Sequence, residues 1–161
     1  LILGKTEGHL DQSIFAKEIL TEKKGPPPSI NLFNEKNIGE TILKLIDQDL
    51  IDTCHDVSLG GILIAISKMC IKGKKGIKIN SIKGLINKFE YFFGEDQGRY
   101  VIEINKKNLE KTKQILDKNS VHYDEIGTVD KSKIFFDNKI NLSVDDLEKE
   151  NITWLRKYMV N

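Results

Sequence analysis

Arginine is nearly missing from this chain of 161 residues: of its 25 basic side chains, only Arg99 and Arg156 are arginines. The planar guanidinium fork clamps phosphates and base edges, so its scarcity argues against nucleic acid as a partner. The net charge of +1 argues the same way, since no surplus of positive charge exists to neutralise a phosphate backbone. No apolar run approaches the roughly 18 residues of a membrane-spanning helix, and no signal-peptide pattern is visible, so no membrane partner is expected. Cysteine is limited to Cys54 and Cys70, in apolar surroundings and without CxxC or Cys/His spacing. Both read as reduced core residues of a cytoplasmic protein, not as a disulfide or a zinc site. The three prolines are consecutive, Pro26 to Pro28, and read as an extended connector that no helix crosses. His9, His55 and His122 share no metal-ligand spacing, and no Ser/His/Asp or Cys/His nucleophile arrangement can be assembled. No catalytic residue is assigned.

What is present fits a globular protein. A hydrophobic share of 39% and a charged share of 30% support one packed domain over residues 1–161. The chain opens inside an apolar, strand-like run, Leu1 to Leu3, which suggests a piece of a longer polypeptide.

The organising stretch is Cys54-His55-Asp56-Val57-Ser58-Leu59-Gly60-Gly61-Ile62-Leu63. Apolar Leu50 and Ile51 lead into it, and Ile62, Leu63, Ile66, Met69 and Cys70 continue at helical spacing. A strand, a glycine turn and a helix leave backbone N–H groups pointing one way, beside the positive end of the helix dipole, which suits phosphate. Asp56 offers a hard oxygen for Mg²⁺ and Ser58 a hydroxyl. The plainer alternative is a tight turn in which Asp56 or Ser58 caps the helix and Gly60 and Gly61 permit close packing.

The remaining pattern predicts helices over Gln12–Leu20, from Asn31 or Asn34 to Gln48 with Ile38, Ile42, Leu45 and Ile46 inward, over Asn108–Asn119, and over Asp145–Met159 with Trp154, Leu155 and Tyr158 inward. Strands are expected around Ile77–Ile79, Arg99–Ile104 and Val121–Val129, with a hairpin of Lys133–Phe136 and Ile140–Leu142 about Asp137-Asn138. Phe89, Tyr91, Phe92 and Phe93 form the densest aromatic cluster, expected in the core. Glu95, Asp96 and Gln97 lie in a glycine-flanked loop that reads either as a recognition loop or as a solvated turn. Strands interleaved with helices and ending in a hairpin predict an α+β fold, a layered sandwich of helices on a mostly antiparallel sheet. A Rossmann fold is disfavoured, because no GxGxxG is present.

Four motifs in order then resemble a known family. His55-Asp56-Val57-Ser58-Leu59-Gly60-Gly61 resembles the HDxSxGGL signature of the phosphoribosylformylglycinamidine synthase family. Gly94-Glu95-Asp96-Gln97-Gly98-Arg99-Tyr100 is similar to its GE(S/D)Q-x-R(Y/F) segment. Leu3-Gly4-Lys5-Thr6-Glu7-Gly8-His9-Leu10-Asp11-Gln12-Ser13 is similar to LGxTxxxLGxS, and Ile126-Gly127-Thr128-Val129 to the late IG-x-V strand. Leu59 stands where the family usually has an acid, and Asp11 where it commonly has glycine. The resemblance implies the C-terminal domain, of the aminoimidazole-ribonucleotide-synthetase type, of a large synthetase subunit. That enzyme is an ATP-dependent C–N ligase converting formylglycinamide ribonucleotide and glutamine-derived ammonia to the amidine, with ADP and phosphate released. It implies Mg²⁺ on Asp56, nucleotide at Ser58, Gly60 and Gly61, and, by pseudo-symmetry, substrate at Glu95, Asp96 and Gln97. Implied partners are sibling domains of the same chain, a glutamine amidotransferase subunit and a small bridging subunit. Catalytic groups would lie outside this segment, which alone would be inactive. Two alternatives stay open: a non-catalytic structural or interaction domain, and a domain of another ATP-dependent relative such as selenophosphate synthetase.

Overall fold

The computed structural model describes residues 1–22, 24–80, 86–136 and 140–160. It divides into two compact units, residues 1–65 with 82–125, and residues 66–81 with 126–161.

In the first unit a four-stranded antiparallel sheet has the order β2-β4-β1-β5, from β1 (Ile2–Leu3), β2 (Thr53–Asp56), β4 (Tyr100–Glu103) and β5 (Tyr123–Asp124). Leu3 and Ile102 point from the sheet to one face, where α2 (Leu32–Asp47) contributes Ile38, Ile42 and Leu45, and α5 (Leu109–Lys118) contributes Leu116. Each apolar side chain buried there is worth about 1.5–3 kcal/mol, which makes this layer the unit's main source of stability. The Asn31 side chain caps α2, accepting the Asn34 N–H at 3.0 Å, so the helix begins just after the proline run. Ile46, expected inward, is exposed in the last turn of α2, one position past the buried Leu45.

Two further helices complete this unit. Ser13 caps the short α1 (Ile14–Glu18), which is narrower than the Gln12–Leu20 expected, and Ile19 and Leu20 lie exposed beyond it. An Asn87/Glu90 capping box starts α4 (Lys88–Phe93). Phe15 of α1 stacks on Phe93 of α4, with ring centroids 4.8 Å apart. Phe92 is buried, but Phe89 of the aromatic cluster is exposed.

The second unit holds a sheet of order β6-β3-β7-β8, from β3 (Gly76–Ile79), β6 (Gly127–Asp130), β7 (Lys133–Phe136) and β8 (Ile140–Ser143). Only β3 and β7 run parallel; the other pairs are antiparallel, including the expected β7–β8 pair, whose turn residues Asp137 and Asn138 fall outside the described residues. The α+β expectation therefore holds, with two sheets instead of one. The single strand expected over Val121–Val129 is two: β5 pairs in the first sheet and β6 in the second. Gly127, the first residue of β6, is held to glycine because a Cβ there would run into the Lys78 carbonyl.

The helix α3 (Gly61–Gly73) buries Ile62, Ala65, Ile66 and Cys70, as its spacing predicts. The final helix, α6 (Val144–Val160), buries Val144 only; Trp154 is 62% and Tyr158 70% exposed, and Leu155 is exposed too, against the expectation that they pack inward. Among the described residues, no helix is long and apolar enough to cross a membrane.

Candidate functional site

The organising stretch folds as its residue types dictate up to the glycines. Edge strand β2 pairs Asp56 with Tyr100 and His55 with Val101 on β4, and the Val57 N–H continues the ladder to the Arg99 carbonyl at 2.8 Å. The chain then turns at Gly60 (φ +84°) and Gly61 (φ +70°), where left-handed backbone favours glycine. Gly61 has a second requirement: a Cβ would lie 2.6 Å from the Phe92 carbonyl oxygen and 2.8 Å from that of Gly94. The turn is thereby seated directly on the Gly94–Gly98 loop.

Asp56 and Ser58 face solvent, and the Asp56 carboxylate has 64% of its side chain exposed. The His55 Nδ1–H donates to the Asp56 carbonyl at 2.6 Å and lies 3.5 Å from Asp56 Oδ1. One carboxylate and a nearby hydroxyl suit Mg²⁺, which keeps most of its waters and binds through one or two carboxylates plus substrate phosphates. They do not make a closed metal cage, and no group of three His, Cys, Asp or Glu side chains is assembled among the described residues. Cys54, expected in the core, is exposed on this edge strand; partial burial and the neighbouring Asp56 push its thiol pKa up, which keeps it a poor nucleophile.

The glycine amides are not free for phosphate. The Gly60 N–H donates to Glu95 Oε1 at 2.8 Å, and the Gly61 N–H to the Ser58 carbonyl at 3.0 Å. Glu95 Oε1 also accepts the Ile14 N–H at 2.8 Å, at the start of α1, while the Glu95 N–H donates to the His9 carbonyl at 2.8 Å. One carboxylate oxygen thus joins three segments that lie far apart in sequence.

Asp96 is turned inward as well. It is 6% exposed; Oδ2 accepts the N–H groups of Glu7 at 3.1 Å and Gly8 at 3.0 Å, and Oδ1 accepts that of His9 at 2.9 Å. Beneath it lies Arg99, 1% exposed, donating from Nε to the Asp96 carbonyl at 3.3 Å, from Nη2 to the Gly94 carbonyl at 2.5 Å and from Nη1 to Thr6 Oγ1 at 3.3 Å. Its Nη1 is 3.5 Å from Asp96 Oδ2. Burial pulls the Arg99 pKa down, with Asp96 and then Tyr91 opposing, so the guanidinium stays charged beside its carboxylate.

Of the three loop residues expected to meet a substrate, Gln97 alone is exposed. It borders a cleft of about 310 Å³ whose wall includes Lys5, Glu7, His9, Asn31, Asn34 and Glu35. The His9 ring Nε2 lies 3.0 Å from the Pro26 carbonyl, so the proline connector closes one side. Sequence reasoning missed Asn31, Asn34 and Glu35, which sit on the first turns of α2 and carry no motif, and it missed the buried role of Arg99. The signal for Arg99 was available: it is one of two arginines in a lysine-rich chain and directly follows the acidic loop.

The family model of the AIR synthase related protein C-terminal domain matches residues 1–137. The chain belongs to this family. It is 62% identical over 161 residues to the phosphoribosylformylglycinamidine synthase subunit PurL of Pelagibacter ubique, covering 100% of this chain and 22% of the relative. The subunit PurL of Bartonella henselae is 36% identical over 159 residues, which is 99% of this chain and 22% of that protein. The chain therefore spans only 22% of the length of these relatives. Among solved structures, Thermotoga maritima PurL complexed with FGAR superposes with a TM-score of 0.74 at 22% identity, covering 91% of this chain and 27% of that one. The same protein complexed with ATP gives 0.66 at 18% identity, over 91% of this chain and 25% of that one. These two superpositions are a likeness of the α+β fold.

Proposed function

We propose that this chain is the C-terminal domain of a phosphoribosylformylglycinamidine synthase subunit PurL. The parent enzyme would be an ATP-dependent C–N ligase converting formylglycinamide ribonucleotide and glutamine-derived ammonia to formylglycinamidine ribonucleotide, ADP and phosphate. The observation that carries this reading is the 62% identity to the Pelagibacter ubique subunit over all 161 residues, in a chain that also carries the HDxS turn and the GEDQ loop. The Thermotoga maritima proteins of like fold are complexed with ATP, AMPPCP, ADP or FGAR, which supports nucleotide and that ribonucleotide as ligands of the parent.

Within the domain, Asp56 would be one carboxylate of a Mg²⁺ site completed by phosphate and water, and Ser58 would contact the nucleotide. Gly60 and Gly61 would serve through the shape of the turn, since their amides are engaged. Gln97, exposed at the cleft, would be the loop residue that touches substrate; Glu95 Oε1 and both Asp96 oxygens accept backbone amides. No residue here is assigned a catalytic role, and the chain alone is expected to be inactive. The partners would be sibling domains, a glutamine amidotransferase subunit and a small bridging subunit, a composition that the PurLQS structure of Thermotoga maritima makes natural. The compartment would be the cytoplasm.

A second reading has one specific observation in its favour: both acids of the GEDQ loop hold the fold together, which suits a structural and interaction domain whose turn binds nothing. The experiment compares ammonia- and ATP-dependent amidation of formylglycinamide ribonucleotide by the full-length parent chain and by its Asp56→Ala variant. Loss of turnover in the variant, with folding intact, supports the ligand role; equal turnover leaves this domain as scaffold; a folded but inactive parent removes the synthase assignment.

A further inference from the structure

Three consecutive amides, those of Glu7, Gly8 and His9, converge on the Asp96 carboxylate. Such a concave run of N–H groups is an anion-binding nest, and here the protein's own side chain fills it. The Asp96 carboxylate is too buried, and too fully engaged, to serve a ligand as well. On either side of Gly8, the side chains of Glu7 and His9 border the cleft. Gly8 itself takes φ +80°, and a Cβ there would lie 2.7 Å from Glu90 Cβ, so this wall has one backbone path. Arg99 grips the wall from beneath, at Thr6 on one side and at Gly94 and Asp96 on the other.

We propose that Asp96 and Arg99 are positioning residues, which hold the Glu7–His9 wall of the cleft in the arrangement that receives the ligand. The identity of that ligand, formylglycinamide ribonucleotide, rests on the functional reading above; the clamp itself rests on the geometry. Replacing the Asp96 carboxylate by an amide leaves one acceptor oxygen for three N–H groups and strands a buried guanidinium without its counter-charge, so the wall shifts while the sheet stays paired. A displaced wall weakens binding of ground state and transition state alike, which raises KM with kcat little changed, so the effect belongs to ligand recognition as much as to stability.

The test uses the full-length parent chain with Asp96→Asn, and with Thr6→Val, which removes one Arg99 contact and leaves the ion pair. Amide hydrogen exchange is followed in the peptide spanning residues 4–10 and in the β4 strand, and kcat and KM are measured with formylglycinamide ribonucleotide. The expected result for Asp96→Asn is faster exchange in residues 4–10 with β4 unchanged, and a KM raised about tenfold with kcat within about twofold. Thr6→Val should move both readouts the same way by less, and it decides the matter if Asp96→Asn does not fold. Faster exchange with an unchanged KM would reduce the clamp to a fold-holding contact and overturn the proposal, as would unchanged exchange. A wild-type parent that is folded but inactive on this ribonucleotide would sink the functional reading, and the clamp would then stand or fall on the exchange result.

Discussion

The Glu95 carboxylate accepts the Gly60 N–H at 2.8 Å through the same oxygen that accepts the Ile14 N–H at 2.8 Å. Two motifs that look separate in the sequence, the HDxS turn and the GEDQ loop, are one bonded unit, and the start of α1 belongs to it. The acid therefore fixes the shape of the site through one oxygen.

Glu95→Ala should accordingly destabilise the 161-residue chain by about 2 kcal/mol, because hydrogen bonds to a charged acceptor are worth about 1.5–3 kcal/mol and two amides lose theirs. Glu95→Gln keeps an acceptor oxygen at the same reach and should cost less than half as much. Urea unfolding of the three proteins measures this; an Ala variant as stable as the wild type would show that water replaces both bonds without penalty.

Much of this could be read from the residue pattern, and the part that could not has a common cause. The inward faces of α3 and α5 follow from apolar spacing, since Ile62, Ile66, Cys70 and Leu116 recur with the helical period. Spacing names an apolar stripe but not its cover, so it failed at Trp154 and Tyr158, and it failed at Ile46 where the helix ends. The break between β5 and β6 depends on which sheet each half pairs with, a tertiary choice with no local mark other than Gly127. Glu95 and Asp96 read as acids of a recognition loop or a solvated turn because their partners are 35 to 89 residues away, at Gly60, Ile14 and the Glu7–His9 amides.

Thr112 offers a sharper test of packing. Its side chain is fully buried on α5, yet its hydroxyl has no hydrogen-bond partner among the described residues. Valine has the same branched shape and a similar helix propensity, and it brings no polar atom. Since an unsatisfied buried polar group costs about 1–3 kcal/mol, Thr112→Val should raise stability by about 1 kcal/mol in urea unfolding. A clear loss of stability would mean that the hydroxyl is bonded in solution.

Tyr91 carries the clearest pH signature. Burial, and then the Asp124 carboxylate, raise its phenol to about 12, with Arg99 opposing. The folded chain thus holds this proton above the value near 10 at which an unfolded tyrosine releases it. Below pH 10 both states keep the proton and the group does not affect the balance. Between pH 10 and about 12 the unfolded state binds fewer protons, so stability falls as pH rises, and the slope disappears above the folded value. An ultraviolet titration should show one of the four tyrosines ionising last, near pH 12, and that step should vanish in Tyr91→Phe. The same variant should lose less stability than the wild type between pH 10 and 12; an identical alkaline slope in the two proteins would assign the loss to other groups, such as Tyr100 or Tyr123, whose phenols are also raised, chiefly by burial.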